Sequence, residues 1–158
     1  MPTAPQPQSN ADQVLAEHRE LRALLTHLEG FTEQPRPEIG NDGFHRWAAN
    51  LSKGLVELHD KLFRHFRFET ASGVFDELVK LHPRGAKPLQ ELQLQHPRLL
   101  KEVRELVHSS LRYSQGDEPA NPRLRKRLKE ILTLLSNHED CESELLTRLL
   151  GRDIGAVD

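Results

Sequence analysis

Four histidines and two glutamates stand out because their types and spacing could form a metal site. Two of the histidines are followed four residues later by a glutamate, in the segments HFRFE and HEDCE, so each pair shares a helix face one turn apart. The other two histidines stand alone. Imidazole and carboxylate together suit iron, manganese or zinc, and a single cysteine argues against thiolate-bound metals. The six residues are His18, His65, Glu69, His96, His138 and Glu142.

Leucine-rich stripes predict the elements that must position these side chains. Their alternating three- and four-residue steps predict four long amphipathic helices, beginning near Asp12, Phe44, Leu89 and Leu124. A shorter stripe over 74–81 predicts an extra helix, and residues 31–42 and 115–122 are typical of loops. No stretch of strand length alternates with period two. We therefore predict an all-α fold, an up-down-up-down antiparallel four-helix bundle with a short extra helix between helices 2 and 3.

The candidate residues fill gaps in the apolar stripes, so each long helix turns one histidine toward the core. His96 and His138 lie about equally far from the turn between the last two long helices. His18 is near the start of the first helix and His65 near the end of the second, and an antiparallel pair brings these ends together. The six side chains are therefore expected at one level, near one end of the bundle core.

The cost of burial favours metal over a metal-free core. A buried polar group without a partner costs about 1–3 kcal/mol, and six of them would consume much of the ~5–15 kcal/mol that stabilises a domain. Salt bridges between protonated histidines and glutamates compensate poorly because both partners lose hydration. Six donors exceed the four of a tetrahedral zinc site and suit two octahedral ions, with two imidazoles on each and both carboxylates bridging.

The chain resembles the hemerythrin-like (HHE cation-binding) family over about residues 10–150. The resemblance rests on the lone histidines at 18 and 96 and on the segments HFRFE and HEDCE. The ferritin-like pattern of two Glu-x-x-His motifs fits less well, since only Glu105 and His108 have that spacing and Glu105 lies off the stripe.

The resemblance implies a non-haem di-iron centre with an oxide or hydroxide bridge. Family members bind oxygen reversibly, sense oxygen or iron, or handle peroxide or nitric oxide. Glu69 and Glu142 would be the bridging carboxylates and the four histidines the terminal ligands. Manganese and zinc stay open as alternatives to iron.

The third long helix departs from the family pattern in two ways. Oxygen-carrying members have a His-x-x-x-His pair there, but Leu100 occupies the second position. A water molecule or His59 could complete the coordination, and we expect a more reactive or more exchangeable site than in an oxygen carrier. Pro97 either kinks this helix or marks its true start.

Three functions fit these observations. The first is a di-iron protein that reacts with oxygen, peroxide or nitric oxide, with oxidase- or peroxidase-type turnover left open. The second is an iron-sensing or iron-storage module without turnover, whose fold depends on metal. The third is a metal-free bundle that binds a partner.

Composition limits the other classes of function. The 158 residues carry a net charge of −2, which gives no bias toward nucleic acid or anionic membrane, and the basic run 123–129 is typical of a solvated helix face. No apolar run is long enough to span a bilayer, and residues 1–10 lack the core of a signal peptide. We expect a cytoplasmic protein with a disordered tail over 1–10, one bundle domain over 11–151 and a C-terminal tail over 152–158.

Overall fold

Five α-helices make up nearly all of the computed structural model, which describes residues 7–33, 42–115 and 122–151. A single turn of 3₁₀-helix, Pro83–Gly85, precedes the fourth helix. The described residues form no strand, so the predicted all-helical class is confirmed. The helices are α1 (Pro7–Glu33), α2 (Asp42–Ser72), α3 (Val74–Leu81), α4 (Ala86–Ser114) and α5 (Pro122–Leu149).

Helix α1 extends beyond its predicted limits at both ends. It begins at Pro7, inside the predicted tail, because proline at the first helical position needs no hydrogen-bond acceptor. It continues through Gly30, the predicted stop, to Glu33. Residues 1–6 and 152–158, on which the tail predictions fall, lie outside the described residues, as do the centres of the two predicted loops, 34–41 and 116–121.

The short helix α3 lies where the sequence predicts it. Gly73 separates it from α2 with φ 66°, a left-handed conformation that glycine adopts without a steric penalty. The helix then ends at His82, just before Pro83. Its apolar residues Val74, Phe75 and Leu78 are buried.

Helix α4 is one continuous helix with Pro97 inside it. The alternative that this element starts near Pro97 is therefore wrong. The preceding turns are held by burial, since Leu89 and Leu92 pack into the same apolar cluster as α3. Proline has no N–H, so the carbonyl one turn earlier, at Gln93, receives no helical hydrogen bond from it.

Buried apolar residues form two clusters, and the candidate residues lie between them. The larger cluster includes Leu21, Leu99 and Leu135. The smaller cluster includes Val14 and Leu145 and is completed by α3. On α1, α4 and α5, the candidate histidine lies between residues of one cluster and residues of the other. These histidines are His18, His96 and His138. The polar layer is thus closed at both ends by apolar residues, rather than lying at an open end.

The long helices contact one another in a ring. Helix α1 contacts α2 and α5, and α4 also contacts α2 and α5, while α3 packs on α1 and α2. In the described part of the chain, no helix combines the length and apolarity that crossing a membrane requires.

Candidate metal centre

Four helices each bring one histidine into the polar layer, and α2 and α5 each add a glutamate. All six predicted side chains are buried, from 0% relative exposure for Glu142 to 7% for His96. Each glutamate lies one turn after a histidine of its own helix and therefore points in the same direction. The structure thus brings together all six residues predicted from sequence.

One half of the layer, which we call the inner half, contains the histidines of α1 and α2. The Nε2 atoms of His18 and His65 are 3.0 Å apart. Glu142 Oε1 lies 2.9 Å from His18 Nε2, and Glu69 Oε1 lies 2.7 Å from His65 Nε2. One donor atom from each of these four residues lies within 4.8 Å of the others, which is close enough to surround one ion.

The other half, which we call the outer half, contains the histidines of α4 and α5. Glu142 Oε2 lies 3.2 Å from His138 Nε2 and 3.6 Å from His96 Nε2. Glu69 Oε2 lies 3.5 Å from His96 Nε2. Both glutamates therefore turn one oxygen to the inner half and the other oxygen to the outer half, which is how a bridging carboxylate is arranged.

Hydrogen bonds on the far side of three imidazoles fix their orientation. His65 Nδ1 donates to Glu17 Oε2 at 2.7 Å, and His138 Nδ1 donates to the Gln95 side-chain oxygen at 2.9 Å. His18 Nδ1 hydrogen-bonds to the hydroxyl of Ser143 at 2.7 Å. Such outer partners hold the ring and the tautomer of a metal-ligating histidine, with Nε2 facing the ion.

The fourth imidazole is oriented by stacking. The ring of His96 lies flat on Phe66, with centroids 3.8 Å apart and planes 4° apart. It also meets the ring of His138 edge-on, with centroids 5.0 Å apart. The outer half therefore depends more on aromatic packing than the inner half does.

Mutual contacts shift the pKa values of the layer in opposite directions. Burial alone lowers the pKa of His18, but the hydrogen bond to Glu142 and the carboxylate of Glu69 outweigh it and raise the pKa to about 9. Burial alone raises the pKa of Glu142, but the imidazoles of His138 and His18 beside its two oxygens hold the pKa well below its usual range. Burial raises the pKa of Glu69 and Glu139. Without metal, protons and charges are therefore shared, and a cation must displace protons to bind.

Several donor atoms in the layer are buried without a hydrogen bond. Among the described residues, buried atoms in this state include both oxygens of Glu69, Nε2 of His96 and of His138, and Oε2 of Glu142. Native structures leave few buried polar atoms unpaired. These atoms are close together without being oriented as donor and acceptor, as expected of ligands that surround an ion.

A groove between α2 and α4 reaches the outer half. Its volume is about 610 Å³, and Glu69 and His96 form part of its wall. Leu100, in the position of the second family histidine, also lines it. His59 belongs to neither donor group; it is partly exposed, with Asp60 3.9 Å away. The remaining lining is largely apolar and aromatic: Phe63, Phe66, Phe75 and Pro97, with Arg67 and Asp76 among the polar residues.

Four polar residues at this site are not among those predicted from sequence. Glu17, Gln95 and Ser143 hydrogen-bond to ligand histidines, and Glu139 is buried beside His18. Each of the four residues directly adjoins a predicted ligand in the sequence, and this adjacency is the sequence signal for them. The apolar stripes that we followed do not include these four positions.

Fold and site together define a helical protein with a buried histidine–carboxylate cation site. A family model, the hemerythrin HHE cation-binding domain, matches residues 9–150. The chain therefore belongs to this family and binds a cation, which confirms the resemblance seen in the sequence. Comparisons with curated proteins and with solved structures returned no match.

Proposed function

We propose that this protein is a non-haem di-iron protein that binds or reacts with oxygen, peroxide or nitric oxide. One observation carries the proposal: each of Glu69 and Glu142 directs one oxygen to the inner half and one to the outer half. That arrangement suits two ions with bridging carboxylates. A single ion would leave the carboxylate oxygens of the other half without a metal. The ligands would be His18 and His65 on one iron, His96 and His138 on the other, and both glutamates between them.

The proposal includes an up-down-up-down arrangement of the four long helices. Contacts between opposite ends of neighbouring helices support it. Phe31 near the end of α1 meets Trp47 near the start of α2. Phe44 at the start of α2 meets Tyr113 at the end of α4. The hydrogen bond between His138 and Gln95 likewise joins a late residue of α5 to an early residue of α4.

The donor set fits iron or manganese better than zinc, and the family to which the chain belongs favours iron. Mixed imidazole and carboxylate donors suit iron, manganese and zinc, but zinc usually takes only four ligands. A solvent-derived oxide or hydroxide would complete the bridge between the irons. An iron pair supplies a redox couple and open coordination positions, and the protein supplies donors, their orientation and exclusion of bulk water.

The outer half is the proposed position of the exogenous ligand. The α2/α4 groove ends there, and Leu100 supplies no donor. Apolar lining favours a small uncharged molecule such as a diatomic gas, or peroxide, over a large polar substrate.

Nothing in the charge of the chain favours nucleic acid or a membrane as a partner, and the proposed location is the cytoplasm.

Metal analysis tests the proposal directly. Untagged protein from iron-supplemented cells should contain two irons per chain, and peroxide or nitric oxide should change its absorption spectrum. Zinc in place of iron, or fewer than two irons per chain after anaerobic iron loading, would contradict the proposal. Because the outer half has an open side, we expect oxygen to oxidise the iron rather than to bind and leave in repeated cycles.

A second candidate is an iron-sensing or iron-storage module without turnover. The buried atoms that lack hydrogen bonds favour it, because such a layer makes the fold depend on metal. Both candidates predict a large metal-dependent rise in melting temperature. When an added reductant returns the iron to its reduced state, only the first predicts repeated consumption of peroxide by a fixed amount of protein, so turnover counting in the presence of that reductant distinguishes them.

A further inference from the structure

Glu139 is a buried carboxylate beside the centre that the six-residue ligand set does not use. Its relative exposure is 1%, and it follows His138 directly on α5. A step of one residue rotates a side chain by roughly a quarter turn or more around the helix. His138 therefore faces α4, where it meets Gln95, while Glu139 faces α1, where it meets His18.

The carboxylate of Glu139 points at the inner half. Its Oε2 lies 3.2 Å from His18 Nε2, the atom that also lies 2.9 Å from Glu142 Oε1. Among the described residues, neither oxygen of Glu139 has a hydrogen-bond partner. A fully buried carboxylate in this state is costly unless a cation compensates it.

His18 is the nearest basic side chain on α1, and Arg22, one turn further along the helix, does not provide a second cation. Arg22 shares a small opening of about 180 Å³ between α1 and α5 with Glu139. Its guanidinium instead donates a hydrogen bond of 2.9 Å to Asp140, and both of those groups are largely exposed. Asp140 thus pairs with Arg22 at the surface, and the carboxylate of Glu139 faces the polar layer.

We propose that Glu139 is a third carboxylate donor, which binds the ion of the inner half together with His18 and His65. This inference rests on the proposed di-iron centre. The inner half then has five protein donors and the outer half four, so the two ions differ in coordination and only the outer ion has ample room for an exogenous ligand. Five donors with three oxygens also favour iron or manganese over tetrahedral zinc.

Replacing Glu139 should lower the melting temperature of the iron-loaded protein more than that of the metal-free protein. Glu139→Gln removes the charge at nearly constant shape, and Glu144→Gln makes the same change at an exposed position of α5 as a matched control. Without metal, Glu139→Gln should melt close to the wild-type temperature, because the loss of a buried charge offsets the loss of its contact with His18. With iron, it should melt lower, and one of its two irons should pass to a chelator at least about tenfold faster.

Mössbauer spectra of protein loaded with ⁵⁷Fe identify the affected ion. The wild type should show two unequal iron environments, and Glu139→Gln should change only one of them. Unchanged spectra and iron release would overturn the inference, as would an equal fall in both melting temperatures, which indicates a packing role. If Glu139→Gln does not fold, Glu139→Leu is measured instead, because a buried leucine needs no hydrogen-bond partner. The same results would support or overturn the inference.

The wild-type measurement separates this inference from the proposed function. If the wild type does not hold two irons, the di-iron proposal itself fails, and the inference fails with it. If the wild type holds two irons and Glu139→Gln behaves like Glu144→Gln, only the role of Glu139 is refuted.

Discussion

The inner and outer halves of the centre share two carboxylates but differ in how one outer histidine, His96, is held and in the groove beside it. The inner histidines are almost fully buried, and each has a hydrogen-bond partner behind it, Ser143 for His18 and Glu17 for His65. The outer half borders the α2/α4 groove, and His96 there is held by stacking on Phe66. For the proposed two-ion centre, this difference predicts that the inner half retains its ion and that the outer half admits a ligand.

Helix α4 accounts for much of this asymmetry. It carries Pro97 directly after His96 and Leu100 one turn later, and all three line the groove. The proline leaves the Gln93 carbonyl without its usual helical partner, and Gln93 lines the groove as well. One local sequence feature therefore removes a helical hydrogen bond beside the point where a ligand would enter.

Glu142 connects both halves, so its replacement should have the largest effect. It is completely buried and lies within 4 Å of all four histidines. Glu142→Gln should lower affinity for both ions, by more than about 100-fold, because a lost bridging charge exceeds the effect of a lost outer partner. Metal analysis after dialysis checks this, with Glu144→Gln as the control. Retention of two irons would show that Glu142 does not bridge.

Removing one terminal histidine at a time tests whether the halves are separable. His96→Ala should lose the outer ion, keep one iron per chain and no longer respond to peroxide or nitric oxide. His18→Ala should lose the inner ion or bind it more weakly, because Glu139 alone cannot replace the imidazole. Iron content and nitric oxide titrations measure both effects. Equal loss of both ions in both variants would show that the halves bind only as a unit.

The sequence predicts the six buried polar residues of the layer because they obey helical periodicity. His18 sits between Val14 and Leu21 in one stripe, and a polar residue at such a position is costly enough to indicate a ligand from the sequence alone. Helix α3 is predictable for the same reason, since Gly73 and Pro83 bound a short apolar stripe.

Glu139 and the groove were not predicted from the sequence. Glu139 lies outside the stripe that we followed along α5, but on a second buried row with Leu132 and Leu146, seven residues before and after it, and it meets His18 of α1 there. That row is visible in the sequence, whereas the groove is lined by residues of several helices, among them Phe63 and Leu100. The groove therefore follows from which helices are neighbours, and a single helix pattern does not contain that information.

The outer hydrogen-bond partners provide a smaller, matched test of the two halves. Glu17→Leu removes the carboxylate that accepts from His65, and Gln95→Leu removes the amide oxygen that accepts from His138. Each should lower the affinity for one ion by about 10–100-fold without changing the fold. Chelator competition measures the affinity of each ion. The charged partner, Glu17, should matter more, because a carboxylate raises the basicity of the imidazole more than an amide does. A larger loss in Gln95→Leu would reverse this ranking of the two halves.

The groove can be closed without touching a proposed ligand, and this should give the smallest effect on the metal. Leu100 lines the groove near His96, whereas Leu94 on the same helix is 79% exposed and points away from the core. Leu100→Trp should fill the entrance and slow nitric oxide binding several-fold, with iron content and melting temperature nearly unchanged. Leu94→Trp adds the same ring at the surface and should leave the rate as in the wild type. Stopped-flow absorption measures both rates. Equal rates in all three proteins would mean that the ligand enters elsewhere, and the small opening between α1 and α5 beside Glu139 would then be the next route to block.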